Sequence, residues 1–542
     1  MENEKYWYKR TVIYELNVRS FYDANGDGVG DLKGVTARLD YLKKLGVETL
    51  WLLPITNSPL RDGGYDVSDM FNVHPSYGTM DDFRELVEQA HKRNLKIMVE
   101  LIPNHTSDQH PWFQASRDPS HKDHQKYRDY YVWSKTDQKY KDTRIIFIDY
   151  EKSNWSFDPL RKEYFWHRFF NHQPDLNYDN ADVQRAMMKV VQFWIDQGAD
   201  AIRVDAPPYL IEREGTNCEN LPESHDYYKR LRAFVDAYAP GVMLLAEANQ
   251  WPEDVREYFG DGNEFQMNFH FPLMPRIFMA LAKGVREPIE QIMARTPELP
   301  ASCQWGTFLR CHDELTLEMV THEERKFMWD FYAPDMRMRL NLGIRRRLAP
   351  LLDNDMRKIR LAHALLLSFI GSPVLYYGDE IGMGDNIWLE DRDGVRTPMQ
   401  WDQTANGGFS KAPEKELRIP AIADEVYGFQ KVNVALQEKD QNSLFNWLKN
   451  MLAIRKIHSG FGKGTFRLLS PENPHILAYL HEGDENLLFV NNLSAEEQEF
   501  TLEMGVQKNA MVADLIDSSK KQRLDVAFKL EPYGFRWYQL NK

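Results

Sequence analysis

Apolar and polar positions change period in a regular alternation along the first half of the chain. Residues 11–16 form a short apolar run that reads as a strand. Val35, Leu39, Leu42 and Leu45 then recur at helical spacing and stop at Gly46, a natural C-terminal cap. Residues 48–53 are apolar again, 80–93 return to helical spacing, and 95–102 are once more a continuous apolar run. Val183, Met187, Val191 and Trp194 mark another amphipathic helix, which closes at Gly198 ahead of the run over 201–204. Short apolar strands separated by helices predict a parallel sheet with helical crossovers. Roughly eight such units fit between residues 11 and 450, which favours a closed (β/α)8 TIM barrel over an open sheet.

The alternation breaks over 104–176, an irregular polar-aromatic stretch that reads as a subdomain inserted after the third strand. Short strands over 476–480, 486–491 and 534–540 predict a C-terminal antiparallel β domain. The expected organisation is a barrel over 1–103 and 177–455, a subdomain B over 104–176, and a β-sandwich over 456–542.

Composition narrows the functional class. The formal net charge of -14 over 542 residues excludes wide nucleic-acid binding, because no basic surplus exists to displace counterions from phosphates. No apolar run approaches the roughly 18–20 residues of a membrane span. The opening MENEKYWYKR lacks the apolar core of a signal peptide, so a cytoplasmic location is expected. Cys218, Cys303 and Cys311 lack metal-ligand spacing and predict free thiols in a reducing compartment.

Three of the apolar runs end in chemistry. Ile202 and Val204 read as the core of a strand that carries Arg203 and Asp205 at its end; the run over 242–246 ends in Glu247, and that over 305–309 leads into His312-Asp313. Arg203 and Asp205 point to one side of their strand, so the guanidinium would orient the carboxylate as a nucleophile. Glu247 follows apolar neighbours, and desolvation would raise its pKa to suit a general acid. Retaining glycosidases need such a pair about 5–5.5 Å apart. Asp313 would bind sugar hydroxyls and favour an oxocarbenium-like ring, with His105 and His312 bonding hydroxyls of the same ring. Singly, each carboxylate reads as a solvated loop end or an ion-pair partner; together they read as a glycosidic site.

Asn104-His105, QPDLN at 173–177, the Arg203/Asp205 strand, Glu247 and His312-Asp313 stand in the order found in the α-amylase family, glycoside hydrolase family 13, which the chain resembles. Longer segments at 208–225, 246–262, 312–320, 337–352 and 378–386 are similar to the branch of that family that interconverts maltose and trehalose. That likeness implies intramolecular transglucosylation by retaining double displacement, minor hydrolysis to glucose, and no organic cofactor. An α-glucosidase or oligo-1,6-glucosidase shares every catalytic residue and is the alternative, as is a glucosyltransferase using another small acceptor. A non-catalytic barrel is disfavoured by intact Asp205, Glu247 and Asp313. The likeness further implies that Asp62 and Tyr65 grip the glucose that becomes covalently bound, with Arg392 or Arg396 as a further contact. Arg144, Tyr209, Asn249, Glu314 and Glu318 would roof the pocket. A homo-oligomer is expected, as is a separate maltokinase partner rather than a fused one.

Two metal sites are expected. Asp23, Asn25, Asp27 and Asp31, with the Val29 carbonyl, resemble a short EF-hand loop for Ca2+ or Mg2+; Gly28 supplies the sharp turn. The family likeness implies a second, calcium site from Asn104, Asp175 and Glu212 with the carbonyls of Tyr209 and Leu210. The chain departs from the family pattern at Glu100, where an Asp is usual, and at Cys311, where an Asn is usual. Glu100 should reach Arg203, and Cys311 should be a buried thiol packed behind His312 and Asp313.

Overall fold

The structure, a computed structural model, describes residues 5–502, 511–517, 521–523 and 527–540. Residues 1–4 of the opening segment and the remaining positions of 456–542 lie outside the described residues.

Eight parallel strands close into a barrel in chain order: β1 Ile13–Leu16, β2 Thr49–Leu52, β3 Lys96–Leu101, β4 Ala201–Val204, β5 Met243–Ala246, β6 Met267–Phe269, β7 Gln304–Phe308 and β8 Ser372–Tyr376, which pairs back with β1. Helical segments cross over between strands, among them α1 Leu39–Leu45, α2 Met80–Lys92 and α3 Ala181–Asp196. Local chemistry fixes their ends. Thr79 and Asp82 form a reciprocal capping box at the start of α2, and Gly46 ends α1 in a left-handed conformation (φ 106°). The helix expected through Val35 and Leu45 is in fact two pieces, Leu32–Ala37 and α1, joined at Arg38. Arg38 stacks its guanidinium 4.0 Å from the Tyr22 ring and 4.1 Å from the Trp401 ring, a cation–π anchor that periodicity does not reveal.

Between β3 and α3 the chain leaves the barrel and forms a three-stranded antiparallel sheet from Trp133–Ser134, Trp155–Asp158 and Glu163–Trp166. A bridge pairing His105 with Asp175 ties the end of this segment back to the chain leaving β3, and one pairing Tyr131 with Leu176 closes the segment on itself. After β7 a second excursion builds a small sheet from Leu315–Thr316, Arg339–Leu340 and Gly343–Ile344.

The C-terminal part is antiparallel, with a six-stranded and a two-stranded sheet. Strand alternation serves two cores there. Ile476, Ala478 and Leu480 pack with Phe500 and Phe528 between the sheets, while Leu477 and Tyr479 join the large core of the barrel. No helix among the described residues is long and apolar enough to cross a membrane.

Candidate active site

The site is assembled where the barrel strands end, the face on which enzymes of this architecture carry their chemistry. Arg203 and Glu100 are register partners on neighbouring strands β4 and β3, and both are buried. An Arg203 Nη1 donates to Glu100 Oε2 at 2.8 Å and to Asp205 Oδ1 at 2.6 Å, while Nη2 lies 2.5 Å from Glu247 Oε2. One guanidinium thus gathers three carboxyl groups from the ends of three consecutive strands. Carboxyl groups gripped by one guanidinium are close neighbours, as a retaining pair at about 5–5.5 Å has to be. Directly after Asp205 the chain turns through Ala206 at φ 51°, a left-handed conformation that a non-glycine residue adopts only under constraint. That turn starts the short helix Pro207–Tyr209 and leaves the Asp205 carboxylate at the mouth of the barrel.

The expectation for Glu100 therefore holds: it faces Arg203 and also accepts from Trp51 Nε1 at 2.8 Å and the Tyr65 hydroxyl at 3.2 Å. Burial raises its carboxyl to about 7, against the pull of Arg203. Burial likewise pushes Glu247 well above the ordinary carboxylate range; Arg203 opposes this, and Asp205 and Asp313 add to it. The Glu247 side chain keeps 21% exposure, so its carboxyl is desolvated yet reachable.

Asp313 sits in an opposite environment. Its Oδ1 accepts from Arg392 Nη1 at 3.0 Å and Arg396 Nη2 at 2.8 Å, and Oδ2 lies 3.1 Å from His312 Nε2. Burial works against its charge, but His312 and the two arginines hold the carboxyl well below its usual range. His312 is buried too, yet Asp313 and Glu15 raise it to about 9, with Glu15 Oε1 only 2.6 Å from Nδ1. Tyr65 bonds His312 Nε2 at 2.8 Å. His105 stands apart: burial lowers it to about 4, and its Nε2 has no partner.

Arg392 Nη2 donates to Asp62 Oδ1 at 2.6 Å, and Gln173 Nε2 donates to Asp62 Oδ2 at 2.8 Å. Burial raises Asp62 to about 7 despite Arg392. The two arginines left open by the sequence now separate. Arg392 lines the cavity and reaches both Asp62 and Asp313, whereas Arg396 braces from behind through the His312 carbonyl at 2.8 Å.

Across the pocket, Arg144 donates to Glu219 Oε1 and Glu318 Oε2, both at 2.8 Å, and to the Tyr209 hydroxyl at 3.1 Å. Arg168 and Gln250 also hold Glu219, at 2.8 and 2.9 Å. Asn249 Nδ2 reaches Thr316 Oγ1 at 3.4 Å, and Glu314 accepts from Asn341 at 3.1 Å. Of these groups Tyr209, Asn249, Glu314, Thr316 and Glu318 line, with the carboxylates, a cavity of about 130 Å³ whose apolar walls are Phe147, Phe169 and Phe271.

Cys311 borders the cavity as a residue, and its thiol lies 3.9 Å from the Asp313 backbone carbonyl, beside the acid as expected. The neighbouring His312 turns its imidazole and backbone N–H inward to Glu15. Burial pushes the Cys311 thiol well up, so it is no nucleophile. Glu15, Glu219 and Gln250 were not assigned a role from sequence, and Gln173 stood there only as the first residue of the QPDLN motif. Glu15 carried a signal of its own, as a charged residue inside the apolar run Ile13-Tyr14-Glu15-Leu16.

Asn104, Asp175 and Glu212 are buried beside the pocket. Asn104 Oδ1 and Asp175 Oδ2 have no hydrogen-bond partner, and burial together with Asp175 pushes Glu212 well up. Buried unpaired oxygens of this kind suit a cation. In the 23–31 loop the carboxylates accept backbone N–H bonds: Asp23 from Gly26 and Gly28, Asp27 from Val29, and Asp31 from Ala24 and Gly34. Ser410 also donates to Asp23, placing this loop against the 410 segment. Among the described residues no group of three or more His, Cys, Asp or Glu is arranged to hold a metal.

A barrel whose strand ends bring Asp205, Glu247 and Asp313 to one cavity has the build of a glycosidic-bond enzyme. Residues 15–333 and 344–464 match the family described as alpha amylase, catalytic domain, and 466–537 match the maltogenic amylase C-terminal domain. The chain belongs to the α-amylase family. It is 55% identical to the trehalose synthase/amylase TreS of Mycolicibacterium smegmatis over 99% of this chain and 93% of that one. To the trehalose synthase of a Pimelobacter species it is 52% identical, over 99% and 96% of the two chains. Among solved structures, an α-glucosyl transfer enzyme, XgtA, covers 99% of both chains with a TM-score of 0.80 at 26% identity.

Proposed function

We propose that this chain interconverts maltose and trehalose by intramolecular α-glucosyl transfer. The observation that carries the reading is the roof: Tyr209 and Glu318 line the cavity that Asp205 and Glu247 share, and Arg144 ties them to each other and to Glu219. A roofed cavity keeps a released glucose at very high effective concentration, which favours transfer over hydrolysis. The near end-to-end kinship with trehalose synthases points the same way.

Asp205 attacks the anomeric carbon of the non-reducing glucose as the glycosidic C–O bond breaks. The proton held by Glu247 passes to the leaving oxygen, and the electron pair leaves with it. Asp313 stays ionised between Arg392, Arg396 and His312, and fixes ring hydroxyls as positive charge develops. Asp62 and Arg392 hold the far end of that ring, with Tyr65 and His105 at its sides. The freed glucose turns inside the roof. Its anomeric hydroxyl attacks the glucosyl-Asp205 ester and gives its proton to the Glu247 carboxylate. Two inversions give net retention, and no nucleotide or redox group enters the balance. Glucose forms when water takes the acceptor's place.

Asn104, Asp175 and Glu212, with the carbonyls of Tyr209 and Leu210, would hold a calcium ion. The 23–31 loop, through Asp23, Asn25, Asp27, Asp31 and the Val29 carbonyl, would hold a second ion, Ca2+ or Mg2+. Such ions would supply local rigidity and charge neutralisation, not bond chemistry. Free Cys218, Cys303 and Cys311 support a cytoplasmic setting. A homo-oligomer and a separate maltokinase that consumes maltose complete the reading. Incubation with maltose, followed by NMR, tests the main proposal: trehalose should dominate over glucose from the earliest times. Glucose as the main early product would replace it with an α-glucosidase.

A further inference from the structure

The family match lapses over 334–343, between its two matched stretches. That segment is the outer part of the excursion after β7: the strand Arg339–Leu340 turns at Asn341 and returns as Gly343–Ile344. Asn341 has φ 49°, a left-handed conformation that Asn tolerates better than most residues. From this turn it reaches two parts of the molecule. Its backbone N–H donates to Asp149 Oδ2 at 2.7 Å, in the segment inserted after β3, and its side-chain Nδ2 donates to Glu314 Oε1 at 3.1 Å, on the cavity wall. Asn341 Oδ1 is buried without a partner, which a residue kept only for its turn conformation has no reason to carry.

The base of the same hairpin is fixed far more heavily. Arg345 Nη1 donates to the carbonyls of Leu389 and Asp391, both at 2.6 Å, and Arg346 Nε lies 2.9 and 3.0 Å from the two Asp385 oxygens. Gly343 lies so close to Glu314 that a Cβ there would approach Glu314 Cγ to 2.5 Å. The base is therefore rigid and pressed on the pocket, while the tip bonds across to an exposed Asp149. An exposed bond of this kind contributes little, which suits a contact that must break each time substrate enters and product leaves.

We infer that Asn341 is a positioning residue: it latches the 334–343 hairpin to the inserted subdomain at Asp149 and holds Glu314 in the wall of the acceptor half of the cavity, so that water is shut out while the freed glucose turns. This rests on the transfer reading above and deepens it by naming what closes the roof from the β7 side. Glu314 is raised from the usual carboxylate range, by burial first, and the Asn341 hydrogen bond works against that shift.

Two variants separate the arms of the latch. Asn341→Gly keeps the left-handed turn and the N–H to Asp149 but removes the donor to Glu314. Asp149→Ala removes the anchor, and Asp149→Asn restores an acceptor oxygen. Each enzyme is given maltose, and trehalose and glucose are counted together with the rate of total maltose consumption. Hydrogen exchange of the 334–346 peptide is measured in parallel. The expected result is a rise of about fivefold in the glucose-to-trehalose ratio for Asn341→Gly and Asp149→Ala, with total consumption within twofold and faster exchange in that peptide. Asp149→Asn should return towards the parent ratio. An unchanged ratio in an enzyme that makes trehalose normally overturns the latch, as does a uniform fall in rate without a change of ratio. If the parent itself makes only glucose, the transfer reading fails, and the latch is judged on exchange alone: faster exchange in both variants supports it, and unchanged exchange overturns it.

Discussion

The two halves of the pocket are built differently. The deep half hangs mainly on strand ends: Arg203 meets Asp205 and Glu247 at 2.6 and 2.5 Å, and Asp313 is held at 3.0 Å by Arg392 from the loop after β8. The roof hangs on excursions from the barrel, and its central cation, Arg144, keeps 35% side-chain exposure where Arg203 keeps 1%. Both are arginines holding two or more carboxylates, but their surroundings divide their tasks. In the dry half, electrostatics push the Glu247 and Asp313 carboxyls in opposite directions from their ordinary values. In the wetter half the same kind of pairing joins the roof segments around a cation that solvent still reaches.

The largest effects should come from the deep half. Asp205→Asn and Glu247→Gln should each lower kcat by roughly four orders of magnitude or more while circular dichroism and Tm stay near the parent's. Because Glu247 must arrive protonated and its pKa is raised, kcat/KM should hold well above the usual carboxylate range and fall as pH rises through that raised value. A Glu247→Gln enzyme with near-parent turnover, or an alkaline limb unchanged by the substitution, would remove Glu247 from the role of acid.

Glu100 sharpens the point that burial, not charge alone, sets the stakes. Glu100→Ala leaves Arg203 Nη1 with Asp205 only and strips an acceptor from Trp51 and Tyr65. Breaking a buried pair in this way should cost about 3 kcal/mol, seen in urea unfolding or as a fall in kcat near a hundredfold. Glu100→Asp, one methylene shorter, should do less than a tenth of that damage to kcat. Equal damage from both would mean that chain length matters more than the charge.

The deep half was also the more legible in sequence, for a physical reason. One charged residue ending an apolar run reads as a loop end or an ion-pair partner, but Asp205, Glu247 and Asp313 repeat the pattern in order and so read as a set, and Glu15 inside β1 could have been found as a charge within an apolar run. The barrel followed from period alone, since buried parallel strands and amphipathic crossovers leave different patterns. The roof leaves no such pattern. Glu219 and Gln250 lie in polar loops where one acid or amide looks like any other, and only folding brings them to Arg144 and Arg168. Cys311 shows the same limit: its position beside His312 and Asp313 in the chain does not tell that it also borders the cavity.

Loss of the roof should change what is made before it changes how fast maltose is consumed. Arg144→Ala unties Glu219, Glu318 and Tyr209 at once, and the glucose-to-trehalose ratio should rise severalfold with total maltose consumption within about threefold of the parent. A proportional fall of both products would instead assign Arg144 to substrate binding and would dissolve the contrast between the halves.

The smallest expected effect lies beneath the roof, at Asn104, Asp175 and Glu212. Burial drives Asp175 and Glu212 well above their ordinary values, so both hold a proton more tightly than a free carboxyl does. Metal and proton therefore compete for the same oxygens. A cation that binds only the folded chain stabilises it by about 2.7 kcal/mol when present at a hundred times its dissociation constant. Chelation at pH 8 should accordingly lower Tm by a few degrees, and the drop should shrink as pH falls because protons take over the neutralising role. Asp175→Asn should abolish the chelator effect of this site, whereas Asp23→Asn should abolish only that of the 23–31 loop. Activity should change little beyond a modest rise in glucose release, because the ion would brace Tyr209 from below without touching the sugar. Active enzyme free of bound Ca2+ and Mg2+, with a Tm indifferent to chelator at every pH, would leave the paired acids stabilised by protons alone.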